Sequence, residues 1–245
     1  MGVQTVSQGE IARVFLAAAG IALLALLFVA FTAPDRPRRS RRRQPPLWAV
    51  LRRYHPGSLL LVAAGGGLAL GLPNTFLNAY ANELRIPGIK TFFLIYAAVA
   101  FAVRILTRRL ADRAGARPVA FWGLIWAAVA TLSFVVVWDE WSMIIPALPL
   151  GIAHACLFPA VMAGGHACFP DRYRGLATTL MLAGFDVGNL IGQPAVGGMI
   201  DVARRVDLPP YPLMFGCVSL SLALIAAIYA VCTRPQKKPD PAGKA

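Results

Sequence analysis

Apolar residues in this chain come in long blocks that short polar segments separate. Most blocks approach the roughly 20 apolar residues that a helix needs to cross the core of a bilayer. None alternates like a strand, and only helices and closed barrels satisfy their backbone groups in lipid. The pattern therefore predicts an all-α integral membrane protein of about seven transmembrane helices, at roughly residues 11–33, 58–81, 91–107, 118–138, 142–165, 176–200 and 211–233.

The polar segments divide the chain into four parts. These are a first transmembrane helix at 1–33, a basic linker at 34–57, a six-helix bundle at 58–234 and a tail at 235–245. The linker is rich in proline and arginine, so we expect it to be flexible. Trp48–Tyr54 predicts a short interfacial helix. Because no basic residue precedes the first block and no convincing cleavage site follows it, we interpret that block as a retained span.

Composition and charge support a membrane location. Apolar residues make up 58% of the chain and charged residues 14%, and the net charge is +13. Most lysines and arginines lie on alternate connections, which predicts a cytoplasmic C-terminus and an external N-terminus by the positive-inside rule. We expect the basic stretch 36–53 to contact anionic lipid headgroups. No aromatic–basic interleaving or zinc spacing accompanies the charge, so a nucleic-acid partner is not expected.

A basic turn between two apolar blocks carries the most specific motif. It departs from the hairpin pattern Arg-x3-Gly-Arg-Leu-x-Asp-Arg-x-Gly-x-Arg at Arg108 and matches it at Arg104, Arg109, Leu110, Asp112, Arg113, Gly115 and Arg117. With six helices after a long arginine-rich loop, this hairpin resembles the C-terminal half of a major facilitator superfamily transporter. The segment Arg174–Gly197, with Asp186 followed by spaced glycines, resembles the eleventh helix of bacterial members.

The resemblance implies a fold and a function for the whole chain. On this mapping the chain covers helices six to twelve, one helix plus a six-helix half of the bundle, and lacks the first five. It implies secondary active transport of a small solute by alternating access, driven by a proton gradient across the plasma (inner) membrane. Family members hold substrate between two halves. The resemblance thus also implies pairing with an N-terminal half or with a second copy.

Asp186 is the one carboxylate near the middle of a predicted span. Burying a charge there costs about 2.5–3.5 kcal/mol even on the mildest scale, so the acid needs a partner, a wet cavity or a proton. One interpretation is a proton-coupling or substrate-binding acid. The other is a structural acid that is hydrogen-bonded to a neighbouring helix.

Two stripes run along the helix that holds Asp186. At 100° per residue, one polar face collects Thr179, Asp186, Asn189 and Gln193. The opposite side carries small residues at four-residue spacing, which lets a neighbouring helix approach closely: Gly184, Gly188 and Gly192. We predict helix packing for the glycines. The polar stripe either lines a substrate path or bridges helices.

Further candidates lie on the spans before the hairpin. In the second span Asn74 and Asn78 are one turn apart after Pro73, and a proline- and glycine-interrupted helix points to a transport site. The alternative is that these amides bridge helices at the outer interface. Tyr96, in the third span, is a weaker candidate for the same path.

The hairpin itself can act as a conformational latch. Asp112 can accept from N–H groups at a helix start and pair with an arginine, which would lock one state. Arg174 is the expected partner. A solvated basic loop is the alternative, and it explains the arginines of the motif without explaining the ordered Leu-x-Asp-x-x-Gly.

Other chemistry has little support. His-Ala-Cys occurs at 154–156 and 166–168, but about 18 Å of helix separates the copies, so we expect hydrogen bonding within the bundle and no metal site. No nucleophile–base motif or paired intramembrane aspartate occurs, so an enzyme is not expected, nor is a cofactor. The alternatives to transport are a non-transporting membrane scaffold and an inactive truncated remnant.

Overall fold

The computed structural model describes residues 8–32, 46–107 and 114–233. Within these ranges every regular element is helical, namely α1 Gln8–Thr32, α2 Leu47–Tyr54, α3 Leu59–Glu83, α4 Lys90–Leu106, α5 Ala116–Ser133, α6 Ile144–Cys168, α7 Arg174–Arg205 and α8 Pro210–Cys232. The predicted all-α fold is confirmed, and each of the seven apolar blocks forms a helix. Helix α2 occupies the position of the short helix that follows the linker.

Five helical segments in the described ranges are long and apolar enough to cross a membrane. They are Leu59–Glu83, Ala116–Val136, Ile144–Cys168, Asp171–Arg205 and Pro210–Cys232. Helix α4 has 17 residues and is slightly shorter, and the apolar part of α1 is Phe15–Val29. A membrane crossing by these two helices stays a prediction.

The chain divides into two units at Leu47 and Trp48. In the first unit, α1 exposes large apolar side chains such as Phe15 and Phe28. The second unit also exposes bulky apolar residues, among them Leu190 and Leu220. Water does not favour such surfaces at this density, whereas lipid does. The outside of the helices is therefore a membrane-facing surface.

Helices α3 to α8 form one bundle around a continuous apolar core. The most extensive contacts join α5 to α6, α3 to α7, α4 to α6 and α5 to α8. Helix α3 also contacts α5, α6 and α8, so it lies centrally among them. Fully buried side chains fill the space between the helices, for example Phe92, Leu124, Leu157, Met181 and Leu222.

The predicted glycine stripe packs against α3. A Cβ added to Gly184 would lie 2.8 Å from the Cβ of Ala63, and one on Gly192 would lie 2.6 Å from Cδ1 of Leu68. A Cβ on Gly188 would overlap the backbone carbonyl of Ala64. The predicted partner of the stripe is therefore the first helix of the bundle, at backbone contact distance.

The approach is reciprocal, since α3 offers its own glycines to α7. Phe185 inserts beside Gly66 and Gly67, and a Cβ on Gly67 would overlap the carbonyl oxygen of Phe185. The ring of Phe185 then reaches Phe158 on α6, with 5.6 Å between the ring centroids. Phe185 is 9% exposed, so this side of α7 is packed against α3 and α6.

This packing gives a stability prediction. We expect Gly188→Ala to destabilise the bundle by about 1–3 kcal/mol, because its methyl group would displace the backbone of α3. Thermal unfolding in detergent, followed by circular dichroism, measures the loss. Gly198→Ala on the same helix is the matched control, because nothing lies within 4 Å of its added Cβ. Equal melting temperatures for the two variants would contradict the packing.

Candidate functional site

The polar residues of α7 divide into two groups. Thr179 and Asp186 are exposed, and the Thr179 hydroxyl donates to the carbonyl of Gly175 in its own helix at 3.0 Å. The carboxylate of Asp186 makes no hydrogen bond or ion pair with any described residue. Asp186 therefore lies on an open face of the bundle, on the side of α7 that points away from α3.

Asn189 and Gln193 lie closer to α3. The amide of Gln193 donates from Nε2 to the carbonyl of Leu68 at 3.2 Å. A Cβ on Gly71 would lie 2.5 Å from that Nε2 atom and would overlap Oδ1 of Asn189. Oε1 of Gln193 is buried and has no partner among the described residues. Gln193 thus bridges helices, while the exposed Asn189 lies at the edge of the α3–α7 seam.

The two asparagines of α3 are on the same side as this seam. Asn74 and Asn78 are exposed and follow Gly71 by three and seven residues, so they share its side of the helix. Gly71 is the residue that contacts Asn189. The structure therefore brings the α3 amides and the polar stripe of α7 to one edge of the bundle.

Tyr96 takes part in a different contact, between α4 and α6. Its hydroxyl is hydrogen-bonded to Nδ1 of His154. The tyrosine ring stacks on the buried ring of Phe92, with centroids 5.9 Å apart and planes at 7°. His154 is half-buried, and from the sequence it was expected only to form hydrogen bonds within the bundle. An imidazole in an apolar helix was the available signal.

The second histidine bonds elsewhere. Nε2 of His166 is 2.7 Å from the hydroxyl of Thr178 on α7. The two imidazoles thus have separate partners within the bundle, as the sequence predicted. No group of three metal-binding side chains occurs in the described ranges, and Cys156 and Cys168 are free.

The hairpin motif is only partly described. Arg109, Asp112 and Arg113 lie outside the described residues, so the latch stays a prediction. Gly115 has a φ of +86°, which explains why the motif requires glycine there. Nη2 of Arg117 donates to the carbonyl of Ala230 on α8 at 3.2 Å.

Arg174 and Arg104, the other two arginines of the predicted latch that the structure describes, each make a separate contact. Arg174 pairs with Asp171 at 2.9 Å, and both side chains are exposed. The guanidinium of Arg104 lies 6.0 Å from the ring centroid of Phe158 on α6. Arg104 is exposed and makes no ion pair with the described residues.

Two polar contacts near the last turns of α3 and α7 were not predicted from the sequence. Nη2 of Arg204 lies 3.1 Å from Oε2 of Glu83, which joins the last turn of α7 to the last turn of α3. The hydroxyl of Thr91 donates to Oε1 of Glu140 at 2.8 Å and joins the first turn of α4 to the connection between α5 and α6. Charged residues near helix ends were the signal, but nothing in the sequence specified the pairs.

Comparison with known proteins agrees with this architecture. Residues 89–245 match the sequence profile of the Major Facilitator Superfamily. The chain belongs to that superfamily. The match covers α4 through α8 and includes Tyr96, Arg104, His154 and Asp186.

Two curated proteins are also similar to the chain. Both are named uncharacterized MFS-type transporter EfpA, one from each of the *Mycobacterium tuberculosis* strains CDC 1551 / Oshkosh and ATCC 25618 / H37Rv. Each is 24% identical over 244 residues, covering 84% of this chain and 46% of the relative. The chain thus spans about half the length of the curated relatives it matches.

The geometry predicts which face of the bundle meets water. In a background with serine at the four cysteines, we expect Thr179→Cys to react with a membrane-impermeant maleimide, because a substrate path is wet. Leu220→Cys, on an exposed apolar face of α8, is the matched control and should stay unlabelled. Labelling of intact proteoliposomes, read by a gel shift, makes the comparison. Equal protection of both cysteines would place the polar stripe outside any aqueous path.

Proposed function

We propose that the chain forms half of a secondary active transporter that moves a small solute by alternating access, coupled to protons. The single observation that carries this proposal is the carboxylate of Asp186, which is exposed on the open face of α7 and has no partner among the described residues. A charge within a membrane helix is costly unless it meets water, a partner or a proton. An acid at the contact surface of two halves can meet all three during a transport cycle.

The substrate path in this proposal follows the α3–α7 edge. Asp186 and Thr179 contribute from α7, together with Asn189, and the α3 amides contribute from Asn74 and Asn78. Gln193 supports the path by holding α7 to α3 through the carbonyl of Leu68. Tyr96 would belong to the opposite side of the same open face, on α4.

A complete transporter in this proposal needs a second set of helices opposite the open face. An N-terminal half or a second copy of the chain can supply it, and the share of the curated relatives that is matched, 46%, fits such a half. We place the protein in the plasma (inner) membrane with its C-terminus in the cytoplasm, because the basic connections then face inside. The linker near residues 36–53 would contact anionic lipids.

The partial coverage of the relatives also fits a chain that does not transport. Such a chain can be a non-transporting scaffold or an inactive remnant, and neither would need Asp186. The two classes therefore differ in what a neutral isostere at position 186 does.

The test is proton-coupled transport by the full chain in proteoliposomes with an imposed pH gradient. We expect solute-induced proton movement, read by an internal pH dye, to fall at least about tenfold in Asp186→Asn, because the amide cannot load a proton. Asp201→Asn, which changes an exposed acid near the end of the same helix, should keep the flux. If the proton flux of Asp186→Asn equals that of the unmutated chain, Asp186 is not the site of proton coupling. No flux in the unmutated chain would exclude transport by paired copies of this chain, and would leave a scaffold, a remnant or a half that needs a separate N-terminal half.

A further inference from the structure

The seam between α4 and α6 holds an aromatic and basic cluster of which the transport path above uses only Tyr96. Tyr96 contacts His154 through both its hydroxyl and its ring, and the two ring centroids are 5.6 Å apart. The helices approach closely here, since a Cβ on Gly151 would lie 2.9 Å from Val99 and 3.0 Å from the carbonyl of Tyr96. The tyrosine ring stacks on Phe92, which holds its hydroxyl beside the imidazole.

A free cation lies one helical turn along the same seam. Phe158 follows His154 by four residues, so both side chains lie on the α4 side of α6. The guanidinium of Arg104 lies over the Phe158 ring at 6.0 Å. This contact orients the guanidinium and leaves its N–H groups without a carboxylate from the described residues. Imidazole and guanidinium therefore lie along one seam, close enough to interact electrostatically.

The charged and titratable groups around His154 lie on α4 and on the other helices that pack on α6. Helix α4 contributes Lys90 at its start, Tyr96 and Arg104, and Arg104 interacts electrostatically with His154. The other helices that pack on α6 contribute groups near their ends, except for Asp186, which follows Phe185 on α7: Arg117 on α5, Tyr80 and Glu83 on α3, and Arg174, Asp201, Arg204 and Arg205 on α7. The nearest charge partner of the imidazole is thus a cation.

We propose that Arg104 and His154 form a joint site for a carboxylate anion and a proton, with the Phe158 ring contacting the apolar body of the anion. Neutral His154 accepts at Nδ1 from the tyrosine hydroxyl and carries its proton on Nε2. When a second proton arrives on Nδ1, the hydrogen bond reverses and the imidazolium donates to the tyrosine oxygen. The added charge beside Arg104 is unfavourable until an anion occupies the space between them.

Proton and anion therefore bind together. An anion at Arg104 favours protonation of His154, and by linkage a proton on His154 raises the affinity for the anion. An organic acid would then be one substrate that the chain transports, and in this respect the inference rests on the proposed transport function. The site differs from the Asp186 path in the sign of charge that it selects.

Binding can be measured without transport. The probe is benzoate, an aromatic carboxylate, titrated into the full chain in nanodiscs by isothermal calorimetry between about pH 5.5 and 8. We expect the Kd to rise about tenfold per pH unit once the imidazole loses its second proton. Titrations in buffers of different ionisation enthalpy should show uptake of about one proton per benzoate. Benzylamine, the cationic counterpart, should not compete.

Variants at Arg104 and His154 test which side chain binds the anion and which binds the proton. Arg104→Gln should weaken benzoate binding about 10- to 100-fold, the loss of one charge-assisted contact. His154→Asn should remove the pH dependence and the proton uptake. His166→Asn changes the copy that bonds Thr178, so it is the matched control and should leave both unchanged. Asp186→Asn should also leave benzoate binding unchanged, which separates this site from the proton-coupled path.

A measurement on the unmutated His154 guards against misfolded variants. With 13C-labelled histidine in a chain carrying His55→Asn and His166→Asn, the remaining imidazole signal should show a titration that moves to higher pH when benzoate is added. A titration that benzoate does not move, or benzoate binding that is independent of pH, would overturn the proposal. Absence of benzoate binding would overturn it as well. Loss of flux in Asp186→Asn with no benzoate binding would leave the transport proposal standing alone.

Discussion

The backbone contact between α3 and α7 is the constraint on which the arrangement of the open face depends. With no side chain at Gly67 and Gly188, each helix lies directly on the carbonyl groups of the other. In that contact Phe185 points into the bundle. Asp186 is the next residue, about 100° further round the helix, and it is exposed. The position of the candidate acid is thus a consequence of small residues elsewhere.

Length and hydropathy made the helices predictable, because each helix in lipid satisfies its own backbone and needs no partner to be recognised. Helix pairing was less accessible. The spacing of Gly184, Gly188 and Gly192 showed that some helix approaches, but only the folded chain identifies α3. Gln193 illustrates the limit, since its place in the polar stripe suggested a path, whereas the structure gives its amide to the carbonyl of Leu68.

The site on the α4–α6 seam was hidden for a related reason. His154 and Tyr96 are 58 residues apart, and neither belongs to a motif that spacing can reveal. Arg104 was assigned to the hairpin by its match to a family pattern, and that assignment attended to its charge on the loop side. Its contact with Phe158 depends on how α4 lies on α6. The composition of this site therefore depends on contacts between distant segments, which a local sequence pattern does not reveal.

The regions around Asp186 and Arg104 carry opposite charges, and an aromatic contact lies between them. Phe158 meets Arg104 on one side and Phe185, the neighbour of Asp186, on the other. Movement of α6 would alter both contacts, and Pro149 and Pro159 within that helix weaken its resistance to bending. Helix α6 thus packs against both regions through one ring, while each region keeps its own polar groups. The charge on Asp186 and the binding of an anion at Arg104 can therefore be tested separately.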